Sequence, residues 1–392
     1  MDIRAILLIG GISTEDTASA ERFGQIPLAL LDVLGISVED RVVERLQHFG
    51  VSICSVITDA TAEARELEEC AAIRTRVPRL HATGEQFWQA AEETFHRCAE
   101  EGAELVIVHR IGPYVEVDYE EMIQHHLDRR NPVTQAVDSQ KSGLDLFVLS
   151  ASARIDAAEL FQNQLQRMRR ESEPFAVSGY VNRLQKAADL RRLAVDGLLA
   201  RNSVKPEGTE VKPGIWVGPS ARVHRKARVV APAYIGAHAK IRASALITRG
   251  TVVERHGEVD CGTVVENTTV LPFSCIGAGL DAVHCVVGFR RLAHLVRDIE
   301  VEIHDGKLVG MVPMSPLSRL AGSTAALFAF IPKEIYRGFA APFRRKQAAG
   351  SAETPEEAEP SLVNPAADAA SPTAEPSEFP SNLAVVRRYG DH

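Results

Sequence analysis

The chain has 392 residues, 45% of them hydrophobic, which is enough for two domains with a sizeable apolar core. Its 44 basic and 52 acidic residues give a net charge of −8, which argues against a general nucleic-acid binder because phosphate neutralisation needs a basic surface. Eight acids and two bases fall within residues 348–392, so this stretch alone carries −6 and the remainder is close to −2.

The composition also argues against a disulfide framework and a membrane span. The six cysteines show neither a CxxC motif nor the spacing of zinc ligands, which favours reduced thiols in a cytoplasmic protein. The apolar run after Met1 is too short for a signal peptide. No stretch reaches the roughly 18–20 apolar residues that a transmembrane helix requires.

Residues 1–174 alternate between strand-like and helix-like patterns, which predicts an α/β sheet with helices on both faces. Ser37 is the expected N-cap of the first helix, and Gly50 ends it. The predicted strands are Ala5–Ile9, Ser52–Thr58, Leu105–Val108 and Leu144–Leu149, and the predicted helices are Val38–Phe49, Gly84–Glu100 and Ala157–Arg170.

Residues 175–212 are expected to connect two domains. The stretch Phe175–Val181 is typical of a strand, and the apolar residues between Leu184 and Leu199 are spaced as in a helix. This strand and linker helix would join the α/β domain to the region that follows.

A six-residue repeat dominates residues 213–312. An aliphatic residue recurs at every sixth position, and the residue four places after each is small. This pattern predicts a parallel β-helix, in which each aliphatic residue points into the stacked core and each small residue lies at a corner. The aliphatic series is Val217, Val223, Val229, Ile235, Ile241, Ile247, Val253, Val259, Val265 and Leu271, and the small series is Ala221, Ala227, Ala233, Ala239, Ala245, Thr251, Gly257, Thr263, Thr269 and Cys275.

Two further segments complete the chain. Residues 313–347 mix apolar, aromatic and basic side chains, which suits either a helix on an anionic membrane surface or a helix packed on protein. Residues 348–392 are rich in Ala, Pro, Glu and Ser and are expected to be disordered, because they cannot bury enough apolar surface to offset their conformational entropy.

The order of these features resembles the sugar-phosphate nucleotidyltransferases, specifically the mannose-1-phosphate guanylyltransferase type with a C-terminal left-handed β-helix. The similarity lies in a strand ending in Gly10-Gly11, in Pro27-Leu28, and in the junction strings Asp189–Leu199 and Val211–Gly218. The resemblance covers residues 1–310. It implies a Rossmann-like nucleotide-diphospho-sugar transferase domain followed by a left-handed β-helix of hexapeptide repeats.

The motifs that the resembled family uses for catalysis are altered here. Its Gly-Gly-x-Gly-Thr-Arg loop holds a triphosphate, whereas this chain has Ser13 in place of a glycine and Glu15 in place of the arginine. The family's phosphate-binding lysine corresponds to uncharged Gln25 or Ile26. Its magnesium-binding aspartate follows the third main strand, and here no acid occurs in that place before Glu116.

The candidate cleft residues are those that the resemblance places at the carboxyl ends of the strands. They would contact a nucleotide or a sugar phosphate, with no catalytic residue and no metal ligand assigned. For His109 and Arg110 the alternative is a histidine in a surface loop and an arginine in a salt bridge. The candidates are Gly10, Gly11, Thr14, Thr58, His109 and Arg110.

Three functions remain open. The first is a regulatory or scaffold subunit of nucleotide-sugar or surface-polysaccharide metabolism, cytoplasmic or peripheral at the inner membrane face, without cofactor and forming a homo-oligomer through the β-helix. The second is an active pyrophosphorylase of nucleotide sugars that uses magnesium and contacts phosphate through Arg22 or Arg110. The third is an acyltransferase whose general base is His224, His238 or His256.

Overall fold

Strand β1 (Ile3–Ile9) is an interior strand, the fifth of seven, in a mixed sheet, and all seven of its residues are buried. The computed structural model describes residues 1–10, 21–59, 61, 64–67, 77–152, 161–170 and 172–313. In sheet order the strands are β12 (Phe175–Ala176), β10 (Val133–Val137), β11 (Gly143–Ser150), β8 (Leu105–Arg110), β1, β6 (Ile53–Thr58) and β7 (Arg79–His81). Strands β8, β1, β6 and β7 are parallel neighbours, and β11 runs antiparallel to β8 and β10.

Helices cover both faces of this sheet. Successive side chains of β1 belong to two different cores, as the alternation of a strand requires. One core contains α2 (Glu85–Glu100) and α4 (Phe161–Arg170), and the other contains α1 (Val38–Phe49), α3 (Tyr119–Arg129) and α5 (Ala187–Leu198). The mixed α/β architecture predicted from the sequence is therefore confirmed.

Local sequence signals predict most of these elements. Helix Val38–Phe49 has the predicted bounds, and the Ser37 side chain accepts a hydrogen bond from the backbone N–H of Asp40. The C-cap Gly50 has φ +104°, the left-handed conformation that favours glycine. The prediction of one continuous strand over Phe175–Val181 is wrong. Its first two residues form one short strand, and its last residue begins a second short strand in a different sheet.

Short strand pairs decorate the edge of the α/β region. The strand β9 (Tyr114–Val115) pairs with β13 (Val181–Asn182), so that the segment after β8 is tied to the segment before α5. A 3-10 helix (Leu28–Leu30) separates two small hairpins. These are β2 (Arg22–Phe23) with β3 (Ile26–Pro27), and β4 (Asp32–Val33) with β5 (Ile36–Ser37).

Residues 209–313, called the repeat region below, form three further sheets, and the chain visits the three in rotation. The first contains β14 (Thr209–Lys212), β15 (Ile215–Val217), β18 (Ala233–Ile235), β21 (Thr251–Val253), β24 (Thr269–Val270), β27 (Cys285–Gly288), β28 (Arg291–His294) and β29 (Ile299–Glu302). The second contains β16 (Arg222–Val223), β19 (Lys240–Ile241), β22 (Glu258–Val259), β25 (Ser274–Ile276) and β30 (Val309–Met311). The third contains β17 (Arg228–Val229), β20 (Leu246–Thr248), β23 (Val264–Glu266) and β26 (Asp281–Val283).

The spacing of the repeat changes within the region. Paired residues of neighbouring parallel strands are 18 apart in the first layers, as for Ile235 and Val253, and 17 apart from the Val253–Val270 pair onward. The aliphatic residues from Ile235 to Val265 point into one apolar core, as predicted. The prediction fails at Leu271, because the shortened layer turns Val270 into that core and directs Leu271 toward the α/β region. The small positions shift likewise, from Thr269 and Cys275 to Thr268 and Ser274.

The first sheet of the repeat region packs against the α/β region. The outward side chains of Tyr234, Val252, Leu271 and Val286 are buried in the same core as helix α5. The described residues accordingly fall into one compact unit.

Several predictions concern residues outside the described ranges. The segments 314–347 and 348–392 belong to this group, and so do the first four residues of the predicted helix Ala157–Arg170. Among the described residues, no helix is long and apolar enough to cross a membrane. The described cysteines Cys54, Cys98, Cys261, Cys275 and Cys285 are free thiols.

Candidate functional site at the carboxyl edge of the sheet

The candidate site lies where three parallel strands end side by side. Strand β1 is hydrogen-bonded to β6 on one side and to β8 on the other, so their last residues meet at one edge of the sheet. The backbone N–H of Asp59 donates to the carbonyl of Ile9 at 2.9 Å, and that of Ile111 donates to the carbonyl of Leu8 at 2.8 Å. The structure thus brings Gly10, Thr58, His109 and Arg110 to the same edge, as predicted from the order of the elements.

Gly10 makes the turn that leaves β1. Its φ is +87°, and a Cβ atom at this position would lie 3.1 Å from the Cβ of Asp59. A side chain here would be strained by the backbone and crowded by its neighbour. The other two candidates of this loop, Gly11 and Thr14, lie outside the described residues.

Thr58 and Asp59 form the end of the neighbouring strand β6. Thr58 is fully buried, and its hydroxyl has no hydrogen-bond partner among the described residues. The Nη2 atom of Arg22 lies 3.3 Å from the carbonyl oxygen of Asp59 and 3.7 Å from its Oδ2. Arg22, a candidate phosphate contact of the second hypothesis, is therefore engaged by an acidic residue.

Arg110 is held between two carboxylates. Its Nη1 and Nη2 donate to the two carboxylate oxygens of Glu21 at 2.6 and 3.0 Å, and its Nε and Nη2 donate to Oδ2 of Asp145 at 2.9 and 2.6 Å. Burial alone would lower the pKa of Arg110, but the charges of Asp145 and Glu21 raise it above its usual value. These contacts leave two negative charges against one positive charge. The guanidinium is salt-bridged, as the alternative interpretation of this residue states.

His109 does not lie in a surface loop. It is 1% exposed on β8, and neither ring nitrogen makes a well-formed hydrogen bond to a described residue. Burial lowers its pKa to about 4, which the charge of Asp145 and the backbone of Pro113 only partly offset. At neutral pH the imidazole of His109 is therefore uncharged. It is buried within the sheet and does not contact solvent at this edge.

The described residues at the edge do not fit the magnesium ion that the family resemblance implies. Glu21 and Asp145 supply carboxylate oxygens of the kind that magnesium prefers. Those oxygens already accept hydrogen bonds from Arg110, so the positive charge that they bind is a guanidinium of the chain itself.

Sequence reasoning missed Glu21 and Asp145, although both contact Arg110. Glu21 follows the first loop and is 89 residues from Arg110 along the chain. Asp145 lies in β11, with φ +51°, and is 35 residues from Arg110. The only sequence signal was Arg110 itself, since an arginine that ends a buried strand requires a counterion.

The candidate general bases of the acyltransferase hypothesis, His224, His238 and His256, belong to the repeat region and contact other residues of that region. The rings of His238 and His256 stack with centroids 4.8 Å apart and planes 4° apart, and His256 stacks in turn on Phe273. His224 is exposed, and its Nδ1 accepts a hydrogen bond from the backbone N–H of Lys226.

Two comparisons with known proteins found no match. A scan against models of protein families finds no family that matches this chain. A search of the curated proteins finds no relative.

Proposed function

We propose that the chain is a sugar-nucleotidyltransferase-like protein without metal-dependent nucleotidyl transfer, acting as a regulatory or scaffold subunit in nucleotide-sugar or surface-polysaccharide metabolism. Under this proposal residues 1–174 keep a nucleotide-diphospho-sugar transferase fold. The repeat region would be a left-handed β-helix, with one coil for each passage through its three sheets. The rotation among the sheets and the inward aliphatic residues support this assignment.

The contact of Arg110 with Glu21 and Asp145 carries the functional part of the proposal. A triphosphate needs positive charge from side chains, backbone amides or a metal ion. At this edge Arg110 is neutralised by two carboxylates, and Arg22 faces Asp59. The described side chains therefore present a net negative charge where the resembled family binds the phosphates.

The energetic consequence follows from Coulomb's law. The cluster of Arg110, Glu21 and Asp145 has one negative charge in excess, and a phosphate oxygen about 4 Å from that charge is repelled by roughly 4 kcal/mol at an effective dielectric constant near 20. This is a factor of about a thousand in affinity. A neutral sugar or a partner protein avoids this repulsion, so regulation or scaffolding is compatible with the site.

The test is a calorimetric titration of the purified full-length protein with nucleoside triphosphates, with and without magnesium. A pyrophosphate-release assay with hexose 1-phosphates is run in parallel. We expect no magnesium-dependent binding in the micromolar range and no pyrophosphate. Tight magnesium-dependent binding together with pyrophosphate release would overturn the proposal.

The second hypothesis, an active pyrophosphorylase with rearranged phosphate contacts, has one observation in its favour. The hydroxyl of Thr58 is buried next to Asp59 without a described partner, beside the turn at Gly10. If this hypothesis holds, Arg110→Ala abolishes pyrophosphate release, while the circular-dichroism spectrum shows that the variant is still folded. The acyltransferase hypothesis requires acyl-coenzyme A turnover that disappears in His238→Ala.

The setting of the proposed subunit is the cytoplasm, and its assembly is a homo-oligomer that uses the repeat region. The segment 317–346 would contact either a protein partner or the membrane surface. Deletion of Leu317–Lys346 should move the protein from the membrane pellet to the soluble fraction if the membrane is its partner, and leave the distribution unchanged if it is not.

A further inference from the structure

The two ends of the repeat region differ in how they are closed. At the later end, antiparallel strands β28 and β30 and the side chains of Ile303 and Leu308 cover the apolar core. At the earlier end, strands β16 and β17 are the outermost strands of their sheets among the described residues. Val223 is 41% exposed there, whereas Ile241 and Val259, which occupy its place in the next two layers, are 2% and 0% exposed.

An open end of this kind exposes both apolar side chains and backbone groups. The outer edges of β16 and β17 have no strand beside them within the described part of the chain. Stacked-repeat proteins ordinarily need a terminal cap, because each layer covers the core of the next. The first layer of the repeat region lacks such a cap on two of its three sides.

The open end is strongly basic. The segment Arg222–Arg228, called the basic end below, holds four cations and no acid, and all four side chains are exposed. None of them forms an ion pair with a described residue. The four are Arg222, Arg225, Lys226 and Arg228.

Cations deeper in the repeat region are paired differently. Lys240 and Arg242 both contact Glu258, and Arg249 contacts Glu266 at 2.7 Å. The register places Arg222 directly opposite Lys240, a like-charge pair that an acidic layer on the outer side of Arg222 would relieve. The missing neighbour of the first layer should therefore be acidic.

We propose that the acidic segment 348–392 of the same chain docks on the basic end. This segment carries eight acids and two bases, with seven acids and no base between Glu353 and Glu378. It also contains short apolar stretches, such as Leu362-Val363 and Leu383–Val386, that suit the exposed Val223. The docked segment closes the open edges and shields them from other strands.

The chain is long enough to reach. The last described strand, β30, pairs with β25, which lies three layers from β16, or about 14 Å at the usual strand separation. Residues 314–347 separate Pro313 from the acidic segment, and 34 residues span about 50 Å even at the rise of a helix. A second copy of the basic end is a poorer occupant, because two surfaces with four cations each repel one another.

The experiment uses zero-length carbodiimide cross-linking of the full-length protein, followed by peptide mass spectrometry. Lys226 is the reporter in the basic end, and exposed Lys141 in the α/β region is the internal control. We expect the acids of 353–378 to couple to Lys226 about tenfold more than to Lys141, because docking holds them beside Lys226, whereas Lys141 is reached only by random encounters of the tethered segment. The yield should not depend on protein concentration.

A variant and a matched control test the charge argument. Arg222→Glu, Arg225→Glu and Arg228→Glu together keep Lys226 and should lower its coupling about fivefold, as should high salt on the unaltered protein. The control Arg97→Glu, Arg130→Glu and Arg192→Glu changes the net charge equally and should leave the coupling unchanged. Equal coupling to Lys226 and Lys141 overturns the proposal. Cross-links found only between isotope-labelled and unlabelled chains would also overturn it, because they would show docking between chains. The proposal is likewise overturned if the segment does not couple to Lys226 and anionic vesicles bind the basic end instead.

Discussion

Arg191 of helix α5 donates from Nη2 to the side-chain oxygen of Asn267 at 2.9 Å, at the corner where the repeat shortens from 18 to 17 residues. Arg191 is 4% exposed, and its Nη1 also donates to Thr268 and Thr269 of the same corner. Burial lowers the pKa of its guanidinium to about 10. The corner supplies oxygen atoms to this cation, and the contact joins the linker helix to the repeat region.

The contact between Arg191 and Asn267 should show strong energetic coupling. Asn267→Ala removes an acceptor from a buried cation, which costs about 1–3 kcal/mol, and adds strain because Asn267 has φ +46°. Asn267→Gly keeps the backbone conformation accessible and isolates the loss of the side-chain oxygen. In an Arg191→Met background that part of the cost should vanish. Urea unfolding of the double-mutant cycle measures the coupling, and additivity within about 0.5 kcal/mol contradicts it.

A comparison of two glycines with similar φ values separates the effect of packing from that of backbone strain. Gly35 has φ +94°, and a Cβ there would lie 2.3 Å from the hydroxyl of Tyr234, whereas Gly50 has φ +104° and open space around it. Gly50→Ala should cost about 1 kcal/mol of unfolding free energy, the usual penalty for alanine in the left-handed region. Gly35→Ala should cost at least about 2 kcal/mol more, because overpacking adds to the strain. If chemical denaturation shows the same loss of unfolding free energy for both variants, the Tyr234 side chain moves aside without cost.

The hairpin of β4 and β5, which contains Gly35, also makes a buried contact with a carboxylate of the repeat region. Glu254 accepts the backbone N–H groups of Leu34 and Gly35 at 2.7 and 2.9 Å. Burial and the nearby charge of Asp32 raise the pKa of Glu254, although these N–H groups oppose the shift. Residues distant in sequence by more than two hundred positions thus depend on one another for their hydrogen bonds.

His109 should make the fold sensitive to mild acid. Its pKa is about 4 in the folded protein and about 6.5 in an unfolded chain, so below pH 6.5 the unfolded state binds a proton that the folded state does not. Stability is therefore lost as the pH falls from 6.5 toward 4, by up to about 3 kcal/mol for this group. His126, whose pKa burial also lowers to about 4, adds to the loss.

Replacing His109 isolates its share of the acid sensitivity. His109→Leu should reduce the difference in unfolding free energy between pH 7 and pH 4.5, measured by urea unfolding. The matched control is His224→Leu, which removes an imidazole from the exposed surface of the repeat region. An unchanged pH dependence in His109→Leu would mean that the buried imidazole accepts its proton without unfolding.

Neutralising the partners of Arg110 should create an anion site. Glu21→Gln with Asp145→Asn changes the formal charge of this cluster from −1 to +1 while keeping side-chain shape. Affinity for inorganic tripolyphosphate should rise at least about tenfold, equivalent to about 1.4 kcal/mol, and fall again as salt is added. Calorimetry measures the change.

The control for this variant removes the same charge elsewhere. Glu93→Gln with Glu100→Gln alters two exposed residues of α2, the helix that leads into the first residue of β8, and should leave tripolyphosphate binding unchanged. An equal gain in both double variants would assign the effect to net charge. No gain in either would indicate that the freed Arg110 is not accessible to an anion.

Local signals in the sequence were sufficient for much of the fold. The Ser37 cap, the Gly50 stop and the spacing of Val38–Phe49 depend on neighbours within one or two turns, so the helix follows from the sequence alone. The hexapeptide pattern likewise identified the inward residues from Ile235 to Val265, because strand alternation repeats locally. The inward position of Val270 could not be read from this pattern, since one residue fewer at the Asn267 corner changes the phase without leaving a distinct composition.

By itself the sequence determined the alternation of strands and helices, the six-residue period, the small net charge of the body and the position of Arg110 at the end of a strand. The tertiary structure alone decided which charges meet. Glu21 and Asp145 reach Arg110 from remote parts of the chain, and Glu254 reaches Leu34 from the repeat region. Such contacts depend on how the sheet and the layers stack, and the pairing of charges over a few ångströms then sets what the edge of the sheet can bind.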